Sequence, residues 1–177
     1  MNLSVRLPLV LVLGASLVLA GCSDDTTTDP AAESAADETT QHITTIQRRI
    51  EANNAKDWTT WESLHTEDAV RTAPGLPGPL VSAKVMREGI EELVQTFPDY
   101  ELTLVDAFGE GDRLMARIHA KGTMLGAMDI GGVEIPPTGK TFEQDWVAVL
   151  TFEGEKISVI DEFYDNYGTL IQLGLAQ

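Results

Sequence analysis

The apolar residues of this chain change their spacing at Pro98, and no other feature restricts the fold as much. Upstream they recur every three to four residues, the repeat of a helix. Downstream they alternate, the repeat of a strand with one buried face. Ile43, Ile46 and Ile50 define a helical face within 41–54, closed by Asn53-Asn54 because asparagine tolerates the left-handed conformation that ends helices. Asp57 then caps a helix over 58–65 with Trp58, Trp61 and Leu64 turned inward. The stretch APGLPGPL at 73–80 is too rich in Pro and Gly for regular structure. Ser82 caps a third helix whose inner stripe is Met86, Ile90, Leu93 and Phe97, and Pro98 stops it.

Beyond Pro98, alternation predicts strands over 100–108 and 113–124, turning at Gly109-Glu110-Gly111-Asp112. An irregular Gly/Pro-rich excursion over 125–140 follows, then strands over 141–152 and 156–164 and a short helix at about 166–174. Helices first and an antiparallel meander afterwards is an α+β order. No strand–helix–strand alternation is visible, so a parallel sheet is not expected.

The N-terminus reads as an address. Arg6 precedes an apolar run from Leu7 to Ala20, the length of a secretory signal and too short to span a bilayer. The run ends in Leu19-Ala20-Gly21-Cys22, which resembles the bacterial lipobox, and Cys22 is the lone cysteine of the chain. Residues 1–21 are therefore expected to be a lipoprotein signal peptide, with Cys22 lipidated as the mature N-terminus. Ser23 in place of Asp favours the outer membrane in a Gram-negative host. Residues 23–40 carry acids and no large apolar side chain, which predicts an extended, disordered tether over 22–40 and a folded domain over 41–177.

The 28 Asp and Glu against 12 Lys and Arg give a net charge of −16 over 177 residues, a length suited to one domain. Nucleic-acid partners require basic stripes, and the largest basic cluster is Arg48-Arg49, so none are expected. The membrane is expected to be met through the lipid anchor only. A single cysteine excludes an internal disulfide, and His42, His65 and His119 lack the spacing of a metal site. With no phosphate-binding or dinucleotide-binding glycine motif, neither a metal nor a cofactor is expected.

Five strings occur in register: Phe97-Pro98-Asp99, Gly111-Asp112-Arg113, Gly122-Thr123, Pro137-Thr138-Gly139-Lys140 and Gln172-Leu173-Gly174-Leu175. Together they resemble the SnoaL-like polyketide cyclases, or ester cyclases, across the whole of 41–177. The resemblance implies a cone of the nuclear transport factor 2-like superfamily, in which a curved antiparallel sheet wraps about three helices and encloses an apolar pocket. It also implies pairing of copies into a homodimer through the sheet's outer face. The chemistry it implies is a cofactor-free aldol ring closure in which a carboxylate moves the proton and a histidine on the neighbouring strand assists. In this sequence the carboxylate position falls at Glu162 and the histidine position at Ala148. A second histidine position is Met124, and a third falls among Arg71, Thr72 and Ala73.

Alternation gives the same pocket independently. Phe142, Gln144, Trp146, Ala148, Leu150 and Phe152 share one face of their strand, and Ser158, Ile160, Glu162 and Tyr164 share one face of the next. Glu162 among apolar neighbours is a paired structural charge, a solvated rim residue, or a proton-transfer group. With Glu162 as base, Tyr164 is its expected hydroxyl partner, and Gln144, Trp146, Ala148, Ile160 and Trp61 are the expected ligand contacts. Asp165 reads as the cap of the final helix, His119 as an outward residue, and His65 as a helix-ending cation. Three functions fit: an apolar ligand held in the pocket, cyclase- or isomerase-type proton transfer there, or an envelope interaction protein with neither.

Overall fold

The computed structural model describes residues 30–177. The signal, Cys22 and residues 23–29 of the expected tether lie outside the described residues. The element order is α1 (Pro30–Ala55), α2 (Trp58–Ser63), β1 (His65–Thr72), β2 (Leu80–Val81), α3 (Ala83–Thr96), β3 (Glu101–Glu110), β4 (Arg113–Thr123), β5 (Met128–Ile130), β6 (Val133–Ile135), β7 (Thr141–Glu153), β8 (Lys156–Phe163) and α4 (Asn166–Leu173). This is the expected α+β architecture. A six-stranded sheet of order β2-β1-β8-β7-β4-β3 wraps the helices, and β5-β6 form a separate hairpin.

The strand alternation holds throughout β4, where Leu114, Ala116, Ile118 and Ala120 are buried and Arg113, Met115, Arg117 and Lys121 are exposed. The long β3–β4–β7–β8 meander is antiparallel, with register shifts between Leu104 and Asp106 and between Thr151 and Phe152. Such bulges sharpen local twist and bend a sheet around what it covers. Helix caps follow the sequence: Asp57, Ser82 and Asp165 each accept a backbone N–H of the first turn of α2, α3 and α4.

Several expectations require correction. α1 is already helical at Pro30, the first described residue, inside the segment read as tether. The alanines and glutamates of PAAESAADE have good helix propensity, so a lack of large apolar side chains does not prevent helix formation. α1 also runs past Asn53-Asn54. Lys56 adopts the positive φ of 57° that ends it, while Asn54 leaves the cap role to hydrogen-bond both the N–H and the carbonyl of Leu102. The excursion over 125–140 contains the β5–β6 hairpin, turning through Gly131 and Gly132, both at positive φ as such a tight turn requires.

The largest correction is β1, absent from the sequence reading. It pairs with β8 in parallel, so the sheet is mixed. Its sequence HTEDAVRT offers little apolar alternation because two of its inward side chains are His65 and Arg71. His65 accordingly opens this strand, 2% exposed, and does not act as a cation at a helix end.

Candidate functional site

The helices and the inner face of the sheet enclose a cavity of about 180 Å³. Phe97, Leu102, Phe142, Trp146 and Leu173 give it apolar walls, and Leu170 and Asn166 of α4 stand where its lining becomes exposed. Of the residues expected from sequence, Gln144, Trp146, Glu162 and Tyr164 line it. Ala148, Ile160 and Trp61 do not: they are 1%, 0% and 1% exposed, packed behind the lining as core. Ala148 is the direct cross-strand partner of Glu162, which places the expected histidine position beside the carboxylate as the register required.

Glu162 is 5% exposed and is a paired charge. Its Oε2 accepts a hydrogen bond from Arg71 Nη2 at 2.6 Å. The pair follows from the parallel register, in which Arg71 stands opposite Ile160 and Glu162 is the next residue on that face of β8. Burial alone would lower the Arg71 pKa, but the charge of Glu162 and its hydrogen bond outweigh this and raise it. Glu162 Oε1 has no protein hydrogen-bond partner among the described residues.

A second guanidinium, Arg49, lines the same cavity at 3% exposure. It lies on the inner face of α1 with Ile46, Ile50 and Asn53, whereas Arg48 is exposed. Arg49 stacks 5.1 Å from the Trp61 ring and donates from Nε to His65 Nε2. His65 Nδ1 in turn donates to the Trp61 carbonyl, so the imidazole is the neutral tautomer with its Nε2 lone pair facing Arg49. Burial first, and then the Arg49 charge, push the His65 pKa down to about 3. Burial also lowers the Arg49 pKa, to about 10, which leaves it charged at neutral pH. Burial pushes the phenols of Tyr100 and Tyr164 up, so both are neutral there as well.

Tyr164 does not offer its proton to the cavity. Its hydroxyl donates to the Pro74 carbonyl at 2.7 Å and ties the Pro/Gly-rich loop to the site. Sequence reasoning missed Arg49, Asn53, Arg71 and Tyr100. Arg49 carried a usable signal, since it sits three residues from Ile46 and four from Asn53 on the predicted inner face. Arg71 was touched only by the family resemblance, which placed a histidine position among Arg71, Thr72 and Ala73; without β1 nothing turned it inward. His119 faces outward as expected, bridging Asp145 and Glu143. Among the described residues, no three His, Cys, Asp or Glu side chains gather as a metal site, and no helix is long and apolar enough to cross a membrane.

Residues 44–173 match the family model described as SnoaL-like polyketide cyclase. No curated protein matches the chain. Among solved structures, IdmH of Streptomyces antibioticus, a candidate polyketide cyclase, is 30% identical with a TM-score of 0.65, over 76% of this chain and 99% of that one. A candidate SnoaL-like polyketide cyclase from Jannaschia sp. CCS1 is 18% identical, TM-score 0.68, over 79% and 96%. AclR of Streptomyces galilaeus, a candidate hydroxylase, is 22% identical, TM-score 0.65, over 78% and 88%.

Proposed function

Because the chain belongs to the SnoaL-like polyketide cyclase family, we propose that it takes up one small, largely apolar molecule in its cone cavity, from a position outside the cytoplasmic membrane where a lipid on Cys22 anchors it. The observation that carries this reading is the cavity itself. A packed interaction module would have filled it, whereas here Phe97, Phe142 and Trp146 border open space. About 180 Å³ is close to the engineered 150 Å³ cavity that takes up benzene, so a single ring fits within and a longer body extends past α4. Native mass spectrometry of the full chain, released gently from its native envelope, tests this. A stoichiometric adduct that survives desalting is expected. A bare chain that also binds no neutral apolar probe overturns the reading and leaves docking of an envelope partner.

Proton transfer is a second reading, favoured by Glu162 Oε1, which reaches the cavity without a protein partner. In it, Glu162 takes the proton from an activated carbon. With the Tyr164 hydroxyl occupied, an N–H of Arg71 stabilises the resulting enolate oxygen. Glu162→Gln is then expected to end turnover while holding affinity for a neutral ligand within about tenfold. Turnover that persists in this variant removes Glu162 from the chemistry. Copies are proposed to pair through the sheet's outer face, where Phe108, Met115 and Phe163 are exposed.

A further inference from the structure

Two guanidiniums and one carboxylate line the buried part of the cavity. Arg71 is matched by Glu162. Among the described residues Arg49 is matched by no carboxylate of its own: its partners are a neutral imidazole and an indole ring. Beside it, the charge of Glu162 favours the protonated guanidinium and that of Arg71 opposes it. His65 cannot share the charge, because its neutral tautomer is fixed by the Trp61 carbonyl. The cavity therefore holds a surplus positive charge inside a chain whose net charge is −16.

Two hydrogen-bond donors stand unmatched in the same lining. Arg71 Nε and Asn53 Nδ2 are buried and bond to no protein atom among the described residues. Asn53 is 2% exposed and lies one helical turn from Arg49 on the same face of α1. A buried unmatched donor is costly, and a buried unpaired ion more so. A group with a full negative charge and two acceptor oxygens answers the Arg49 charge and suits guanidinium geometry. The apolar walls opposite require that this group be attached to an uncharged body.

We propose that the ligand of this cavity is a carboxylate on an apolar body of about one ring, its charged head held by Arg49 and Arg71. This rests on the cavity-binding reading and specifies what binds there. The head sits against the pair of arginines, and the ring lies along Phe142 and Trp146. A neutral ester or amide of the same shape leaves the Arg49 charge unanswered and binds less well.

The test is equilibrium dialysis of the full chain against benzoate, benzamide and acetate at neutral pH. Benzoate is expected to bind at least about tenfold more tightly than benzamide, and acetate more weakly than benzoate. Arg49→Gln is expected to erase the preference for benzoate while retaining benzamide, and Arg49→Lys to keep it. Equal or better binding of benzamide by the unaltered chain overturns the charged head and leaves apolar uptake standing. Acetate binding as tightly as benzoate overturns the apolar body. Binding of none of the three overturns this inference and the cavity reading together. The comparison on the unaltered chain decides the matter even where an Arg49 variant fails to fold.

Discussion

Glu162 and Arg71 are two of the three charges that line the cavity, and each deletion has a different cost. Removing one member of a buried ion pair strands the other, at about 3–5 kcal/mol. Glu162→Gln is therefore expected to lower stability by about that amount in urea unfolding, since it leaves both guanidiniums buried without a carboxylate. Glu162→Gln combined with Arg71→Met is expected to lose less, because it removes the pair whole. His65 supplies a pH dependence. Its pKa is about 3 in the folded chain and near 6.5 in the unfolded one, so the unfolded state binds the extra proton. Its contribution is fully present above about pH 6.5 and is lost as pH falls toward 3. The urea midpoint is expected to drop from pH 7 to pH 4, and His65→Gln to flatten the part of that drop between about pH 6 and 4.5. Glu162, Gln144, Trp146 and Tyr164 were legible because strand alternation sorts faces without any knowledge of partners. Arg49 was passed over because beside Arg48 it looks like one of a solvated pair. Its spacing from Ile46 and Asn53, on the inner helix face, separates the two.

Among the elements, the strings that carry the family likeness turn out to be fastenings. Asp99 accepts from the N–H and the hydroxyl of Thr123, both at 2.7 Å, so Phe97-Pro98-Asp99 and Gly122-Thr123 are two halves of one joint. Gly122 fits this joint closely, since a Cβ there would come within 3.2 Å of the Phe97 Cβ and the ring would have to give by a few tenths of an ångström. Gly139 N–H donates to the Met124 carbonyl, and Met124 N–H donates to the Lys140 carbonyl. Gln172 accepts from the Glu143 N–H and fastens α4 to β7. Asp99→Ala is expected to cost about 1–2 kcal/mol in thermal or urea unfolding, with affinity for a cavity ligand unchanged. Phe97 and Leu173 are where these fastenings reach the cavity. This explains why the scaffold was legible and the site much less so. The joints need fixed residues at fixed intervals, whereas the cavity needs only volume and charge, which many sequences supply. β1 was missed for a related reason: a strand recognised by apolar alternation disappears when its inner positions hold the functional charges.

On the scale of the whole molecule, the sheet has two unlike faces. The inner one is closed over the cavity, and the outer one mixes charge pairs such as Lys121–Glu101 with exposed Phe108 and Phe163, at 61% and 59%. If copies pair through this face, Phe163→Lys is expected to shift the chain toward monomer in analytical ultracentrifugation without affecting ligand uptake. The contrast between a strongly acidic exterior and two buried guanidiniums also bears on kinetics. An anion bound for Arg49 must first approach a surface that repels it, and that repulsion is screened over about 10 Å at 0.1 M salt. Stopped-flow association of benzoate is therefore expected to accelerate as salt rises from about 10 to 150 mM, the reverse of steered encounter. The interior would set how long such a molecule stays, and the ionic strength of the surroundings how soon it arrives.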